Sequence, residues 1–332
     1  MTRMLYPFHH QFKIGQFICG LVIVSLLAAC GGKKTSTPFV PPIATTATLT
    51  SVASGQVAAP MTVTPLVEKT AKNTPTPTLI PGPLAAEVNG EGITLVEFQA
   101  ELGRYQAAQK SSGGVPLADK DQQQVVINDM VDNLLLAQAA VRAGHLVTGN
   151  DIQTRIGQLV NQLGDNQALT DWEGQHGYND ASFRQSLALS MHAAWQRDQI
   201  IARIPDTADQ VHVVQILVYN EDDAKLIYSR LQSGADFATL AVKIDPVMGG
   251  DLDWFPQGFL TTPEVDKAAF LLTPGKVSEI IKSKVGYHII LVLERDPNHS
   301  LTPQTRAFIE KQVLRKWLED SRAQSKINIF LP

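Results

Sequence analysis

Eight histidines and two cysteines are the side chains of this 332-residue chain best suited to chemistry near neutral pH. Neither set is spaced for the common mechanisms. The chain has no Gly-x-Ser-x-Gly, no His-Glu-x-x-His, no phosphate loop and no Cys/His metal spacing. Gly249-Gly250 is a turn rather than a phosphate cradle, because no helix with Lys, Ser or Thr follows it. His145, His176, His192 and His299 are scattered and suit surface or helix-face positions. His288 opens an apolar run after Gly286-Tyr287, and on its own reads as a structural histidine at the end of a core strand. The cysteines are Cys19 and Cys30 alone, so no disulfide framework, cysteine nucleophile or metal cluster is expected in a folded body.

The elements that must position His288 lie between Val211 and Glu294. Val211–Val218 is rich in β-branched residues with weak alternation, which predicts a strand buried on both sides. Ala224–Leu231 repeats apolar residues at three and four, a helix closed by Gly234. Asp236 opens a short helix over Phe237–Val242, and Pro263–Phe270 forms another. Gly286–Leu293 is a second apolar strand.

The order of these parts resembles the parvulin peptidyl-prolyl isomerases. The likeness is carried by Ile216-Leu217-Val218, Phe237-Ala238-x-Leu240-Ala241 and Gly249-Gly250-Asp251-Leu252-x-Trp254-Phe255. Ala268-Ala269-Phe270, Pro274-Gly275-x-Val277-Ser278 and Gly286-Tyr287-His288-Ile289-Ile290 complete it. Each motif alone is common; in this order they form a set.

Prolyl rotation has a barrier of about 18–20 kcal/mol from amide resonance, and lowering it needs no nucleophile. It needs an apolar pocket for the proline ring and polar groups that hold the twisted amide. The resemblance implies a polar floor of two histidines plus a Cys or Asp. Carried over residue by residue, His288 takes the second histidine position, and Gln215 stands where the first is expected. Asp245 is the candidate for the Cys/Asp position, with two fewer residues than expected before Gly250. Leu252, Leu260, Val265 and Phe270 are the implied pocket residues, Val265 replacing an aromatic wall. Ser283 falls where the family often has a hydroxyl, or is an ordinary exposed serine. Glutamine can donate and accept hydrogen bonds but cannot titrate. His212, an odd three residues before Gln215, points to the other face of the strand. The family implies no cofactor and no metal.

The ends of the chain say where such a module would work. Arg3 and Lys13 precede an apolar run from Ile14 to Leu27, short for a permanent membrane span. Leu27-Ala28-Ala29-Cys30 then resembles the bacterial lipobox, in which Cys30 becomes the lipid-bearing first residue. Removing residues 1–29 takes the net charge from 28 − 32 = −4 to 26 − 32 = −6, which argues against nucleic acid as a partner. Residues 30–83 hold nine of the 19 prolines among Thr, Ser, Ala and Val, a stalk reaching about 40 Å or more.

Ala85–Ile93 contains a strand and an Asn89-Gly90 turn, and Thr94-x-x-Glu97 is a capping box before Phe98. Helices are expected over Asp119–Ala143, over Asp151–Leu163 with Asn150 as cap, over Leu169–His176, and from a cap at Asp180 to Ile204. Val88-Asn89-Gly90, Ile93-Thr94 and Glu97-Phe98 resemble the opening of the N-terminal chaperone domain of SurA- and PrsA-type foldases, which place a parvulin module next. A helix from about Pro303 to Ser325 and a strand at Ile327–Leu331 need a partner, which the opening strand and the bundle supply.

The expected architecture is α+β: a helical SurA/PrsA-like chaperone domain with an inserted parvulin domain, itself a small antiparallel sheet with surrounding helices. Its divisions are a signal at 1–29, a tether at 30–83, the helical domain at 84–205, the parvulin domain at 206–297, and a returning helix and strand at 298–332. The resemblance implies a lipid-anchored isomerase on the extracytoplasmic face of a bacterial membrane, acting on X-Pro bonds of unfolded or nascent exported polypeptides. A tethered holdase with a weakly active or inactive module is the alternative. Changing Cys30 to Ser is expected to leave an uncleaved precursor that takes up no fatty-acid label; labelling that persists rejects lipid attachment at this residue.

Overall fold

The computed structural model describes residues 82–113 and 116–331. The expected signal, Cys30 and nearly all of the stalk lie outside the described residues. The described chain is α+β, with two small antiparallel sheets and nine helices among the described residues.

Strands β1 (Leu84–Val88) and β2 (Glu91–Thr94) form a hairpin over Asn89 and Gly90, both at positive φ (55° and 88°). Thr94 caps α1 (Leu95–Ser111): its hydroxyl accepts from the Glu97 amide at 3.2 Å, and the Glu97 carboxylate accepts from the Thr94 amide at 2.9 Å. Four more helices follow, α2 (Asp119–Arg142), α3 (Gly149–Leu163), α4 (Asn166–Gln175) and α5 (Asp180–Ile201). Two caps differ from the sequence expectation. Thr148, not Asn150, caps α3, and Asn179, not Asp180, caps α5. In each case the true cap finds a reciprocal partner three residues on, Asp151 or Ser182.

The second sheet is built from β3 (Thr207–Val218), β4 (Asp251–Pro256), β5 (Ile281–Lys282) and β6 (Tyr287–Ser300), in the order β4-β3-β6-β5. Helices α6 (Glu221–Gln232), α7 (Phe237–Ile244) and α8 (Pro263–Leu271) cover it. Both long strands outrun the sequence reading. β6 continues through Pro297 to Ser300 because the proline falls where the ladder shifts register between Ala208 and Gln210, so no donor is missed there. As a result the chain enters and leaves this sheet side by side, with the Leu301 amide donating to the Asp206 carbonyl at 2.9 Å.

The sheet is covered on both faces, but unequally. Val211, Val213, Ile290 and Val292 pack with Phe255 of β4 and with Val265 and Ala269 of α8 on one face. Ile216, Val218 and Ile289 pack with Ala224 and Ile227 of α6 and with Phe237 and Ala241 of α7 on the other. Along the first face, Gln215 and Leu217 remain only half-buried. The expected strand buried on both sides is thus open at its C-terminal end.

The last helix, α9 (Pro303–Ala323), packs Leu314 and Leu318 against Leu136 of α2 and Ala193 and Ile200 of α5. β7 (Ile327–Ile329) then pairs antiparallel with β1, Ile327 opposite Val88. Polar contacts lock this return. The Asn89 side chain accepts from the Lys326 amide at 3.0 Å, and Arg322 of α9 meets Asp132 of α2 at 2.6 Å. No described helix is long and apolar enough to cross a membrane.

Asp129, one turn from Asp132, carries the strain of this joint. Its Oδ2 is buried without a hydrogen-bond partner. Burial, followed by the neighbouring Asp132 and Glu101 charges, pushes its carboxyl from the ordinary 3.8 to about 6, against the opposing pull of Arg322. The folded state therefore binds a proton that the unfolded state releases between about pH 4 and 6, and stability falls as pH rises through that window. Above it the ionised group destabilises the fold by about 1–2 kcal/mol. Asp129→Asn is expected to raise the thermal midpoint at pH 7.5 and to leave it nearly unchanged at pH 4. Equal shifts at both pH values contradict the assignment.

Candidate active site

The β3–β6 ladder sets Leu217 opposite His288 and Gln215 opposite Ile290, so Gln215 and His288 lie on one face as diagonal neighbours. His288 is 3% exposed, and both its ring nitrogens are engaged. Nδ1 lies 3.1 Å from Gln215 Oε1, and Nε2 lies 2.8 Å from Ser283 Oγ. Burial holds the imidazole pKa below its ordinary value, while the charge of Glu264 opposes the shift, so the ring is neutral near pH 7.

Ser283 sits in the turn before β6, and the turn is closed around its hydroxyl. The amides of Val285 (3.0 Å) and Gly286 (3.3 Å) both donate to Ser283 Oγ, and the Ser283 amide donates to the Gly286 carbonyl at 2.8 Å. Gly286 is obligatory because a Cβ there would lie 2.6 Å from the Val218 carbonyl oxygen. Ser283, Gln215 and His288 thus form one hydrogen-bonded row.

Asp245 is not in that row. Its carboxylate accepts from the amides of Met248 (3.1 Å), Val247 (3.2 Å) and Gly250 (3.3 Å), which hold its pKa below the usual carboxylate range, the Met248 bond contributing most. The carboxylate shapes the shortened 245–250 loop instead of touching the imidazole. It reaches the floor through the backbone: the Gln215 amide donates to the Gly250 carbonyl at 2.8 Å. Gly250 is at φ +73°, and a Cβ there would meet the Gln215 carbonyl oxygen at 1.9 Å.

The four apolar candidates gather on the same sheet face. Leu252, Leu260 and Phe270 are half-buried around the cluster formed by Val211, Val213, Phe255, Ile290 and Val292. Val265 differs from its expected place. At 1% exposure it lies within the cluster rather than on its rim, so it supports a pocket wall without forming one. Phe270 meets Phe255 edge-on at 6.1 Å, and its carbonyl accepts from Arg295 at 3.3 Å. His212 is elsewhere, on Asp251 at 2.9 Å and beside Trp254. Among the described residues, no group of three or more His, Cys, Asp or Glu converges as a metal site.

Two supporting residues escaped the sequence reading. Asp266 is 4% exposed and accepts from the amides of Gly258 (2.8 Å) and Leu260 (3.1 Å), fixing the loop that carries Leu260. In the sequence it resembled any first-turn acid of a helix. Ser278, quoted only as part of a motif, receives the Ile290 amide on its hydroxyl at 2.9 Å and donates its own amide to the Ile290 carbonyl at 2.8 Å. It closes the ladder of β6 where β5 is too short to do so.

A four-stranded antiparallel sheet with helices on both faces and a histidine–amide–hydroxyl row defines a parvulin-type domain. The PPIC-type PPIASE domain model matches residues 218–294, and a SurA-like N-terminal domain model matches residues 81–181. The chain is 31% identical over 199 residues to "Foldase protein PrsA 4" of Bacillus cereus, covering 57% of this chain and 68% of that one. It is 36% identical over 138 residues to "Foldase protein PrsA" of Halalkalibacterium halodurans, covering 38% of this chain and 40% of that one. A crystal structure of "Peptidylprolyl Isomerase (PrsA)" from Bacillus cereus is 24% identical, covers 70% of this chain and 84% of its own, and has a TM-score of 0.41. The chain belongs to the PrsA foldase family and carries a peptidyl-prolyl cis-trans isomerase domain of the PpiC type.

Gly250→Ala tests the backbone side of this site. The added methyl must displace the Gln215 carbonyl and adopt a positive φ, which is expected to cost about 3 kcal/mol or more. Thermal or denaturant unfolding of the variant should show that loss; a midpoint within a degree of the parent contradicts the close approach.

Proposed function

We propose that the histidine–glutamine–serine row and the apolar rim beside it turn X-Pro bonds of unfolded exported polypeptides, outside the cytoplasm. The observation that carries this reading is His288, buried, hydrogen-bonded at both nitrogens and on the sheet face whose apolar cluster is rimmed by half-buried Leu252, Leu260 and Phe270. The proline ring would rest on the three apolar side chains, which strip water from the imide and weaken its resonance. The polar row would then hold the twisted amide more firmly than the planar one, which is the requirement for rate enhancement.

In this reading Gln215 and His288 form the floor, Asp245 positions the floor through Gly250, and Ser283 orients the histidine. On the same reading, a helical domain at 84–205 is completed by 298–332, with the parvulin module at 206–297 inserted between, although β6 itself carries on to Ser300. Adjacent entry and exit strands support the insertion, since a module hung on two neighbouring strands leaves the β1–β7 sheet undisturbed. The leader and Cys30 support attachment to the outer face of a bacterial membrane by lipid, with the Pro/Thr-rich segment as a spacer.

A second reading is favoured by two observations, Gln215 at a histidine position and Val265 withdrawn into the core. Here the module grips unfolded chains with little turnover. A protease-coupled isomerisation assay on a short X-Pro peptide separates the two. The isomerase reading expects turnover above background, reduced about tenfold or more in His288→Ala. Absence of turnover in the parent protein, with protection of an aggregating client intact, replaces it with the holdase reading.

A further inference from the structure

Hydrogen-bond counting around Ser283 determines where the proton of His288 sits. A serine hydroxyl has two acceptor lone pairs and one proton. Both lone pairs of Ser283 are taken by the Val285 and Gly286 amides. A third N–H aimed at the same oxygen would have no lone pair to meet, so His288 Nε2 carries no hydrogen. The Ser283 proton goes to Nε2 at 2.8 Å in preference to the Gly286 carbonyl at 3.3 Å, which already accepts from the Ser283 amide. The ring proton is therefore on Nδ1, and the atom 3.1 Å away must be an acceptor. This fixes the Gln215 amide with Oε1 toward the histidine. Gln215 Nε2 is then turned away from the histidine. It finds no acceptor among the described residues, and the side chain is half-buried on the open end of the site face.

We propose that Ser283 fixes His288 as the Nδ1–H tautomer, so that the Gln215 NH2 group, and not an imidazole, is the donor presented to the prolyl amide. Its substrate is that of the isomerase reading, on which this clause alone rests. As the C–N bond twists, resonance is lost and the electron pair localises on the prolyl nitrogen, where it can accept a hydrogen bond. A donor already in place there favours the twisted state over the planar one without a proton leaving the enzyme. Ser283 is a positioning residue in this scheme and Gln215 the catalytic one.

The two parts are tested separately on the full chain. Long-range 15N–1H NMR correlation reads the His288 tautomer directly, with His288→Ala assigning the signals. The expected spectrum has a protonated Nδ1 and an unprotonated Nε2; the opposite tautomer overturns the proposal. Ser283→Ala should lose the single tautomer and Ser283→Thr should retain it; an unchanged spectrum in Ser283→Ala overturns the positioning role. Gln215→Glu keeps the shape and the acceptor for Nδ1–H but removes the NH2 donor. At about pH 8, where an ordinary histidine is neutral, it should lower kcat/KM on an X-Pro peptide about tenfold or more. Undiminished turnover in a folded Gln215→Glu protein overturns the donor role. If the parent protein itself has no turnover, the isomerase reading and the donor role both fall, and the tautomer spectrum still decides the role of Ser283.

Discussion

The antiparallel ladder between β3 and β6 is the constraint on which the rest depends. It runs from Thr207 opposite Ser300 at one end to Val218 opposite Tyr287 at the other. At its far end it places Gln215 beside His288; at its near end it returns the chain to the helical body beside the point of departure. Side chains alternate across a strand, so this one register assigns Val211, Val213, Gln215 and Leu217 to the site face and Val214, Ile216 and Val218 to the face under α6 and α7. A slip of one residue would exchange the polar floor for the core. The buried apolar residues on both faces make such a slip costly.

Around that ladder, polar side chains are used mainly to hold backbone. Asp245 gathers the amides of the 245–250 loop, Asp266 those of the 258–260 loop, and Ser278 the buried amide of Ile290. Each satisfies backbone donors in a segment too irregular for ladder pairing. The site is thereby built from rigid supports, with the glycines at 250 and 286 admitted only where another carbonyl approaches too closely for a Cβ. The row of Ser283, His288 and Gln215 instead directs its polar atoms at one another, at the open end of the sheet.

The helical body uses a different device. Its first hairpin is closed by the last strand, and the two are pinned through Asn89 to Lys326 and through Arg322 to Asp132. The Arg322 guanidinium also donates to the Asn128 carbonyl at 2.9 Å, so it bridges α2 in two places. Charged groups placed in this half-buried seam fix which faces of α2 and α9 meet, at the expense of leaving Asp129 poorly satisfied. The contact joins residues 190 positions apart in the chain.

The sequence alone was enough for the helices and the two long core strands, because helix periodicity, caps and glycine stops are local signals. It was not enough for β4 and β5, which are strands only through their pairing with β3 and β6. Thr94 with Glu97, Asn89-Gly90 and Asp236 behave in the structure as their neighbours in sequence require. The family resemblance also put Gln215, His288 and Ser283 forward as candidates, leaving Ser283 open between a site hydroxyl and an exposed serine. The hydrogen bonds that join the three came from the structure. What the sequence could not carry were facts that depend on through-space partners. The bonds from Asp245 to three amides, the burial of Val265, the anchoring of a loop by Asp266 and the run of β6 past Pro297 all have this character. A carboxylate, a valine or a proline reads the same in sequence whichever neighbour it meets. Only the packed sheet decides whether its environment is water, another side chain or an unpaired backbone amide.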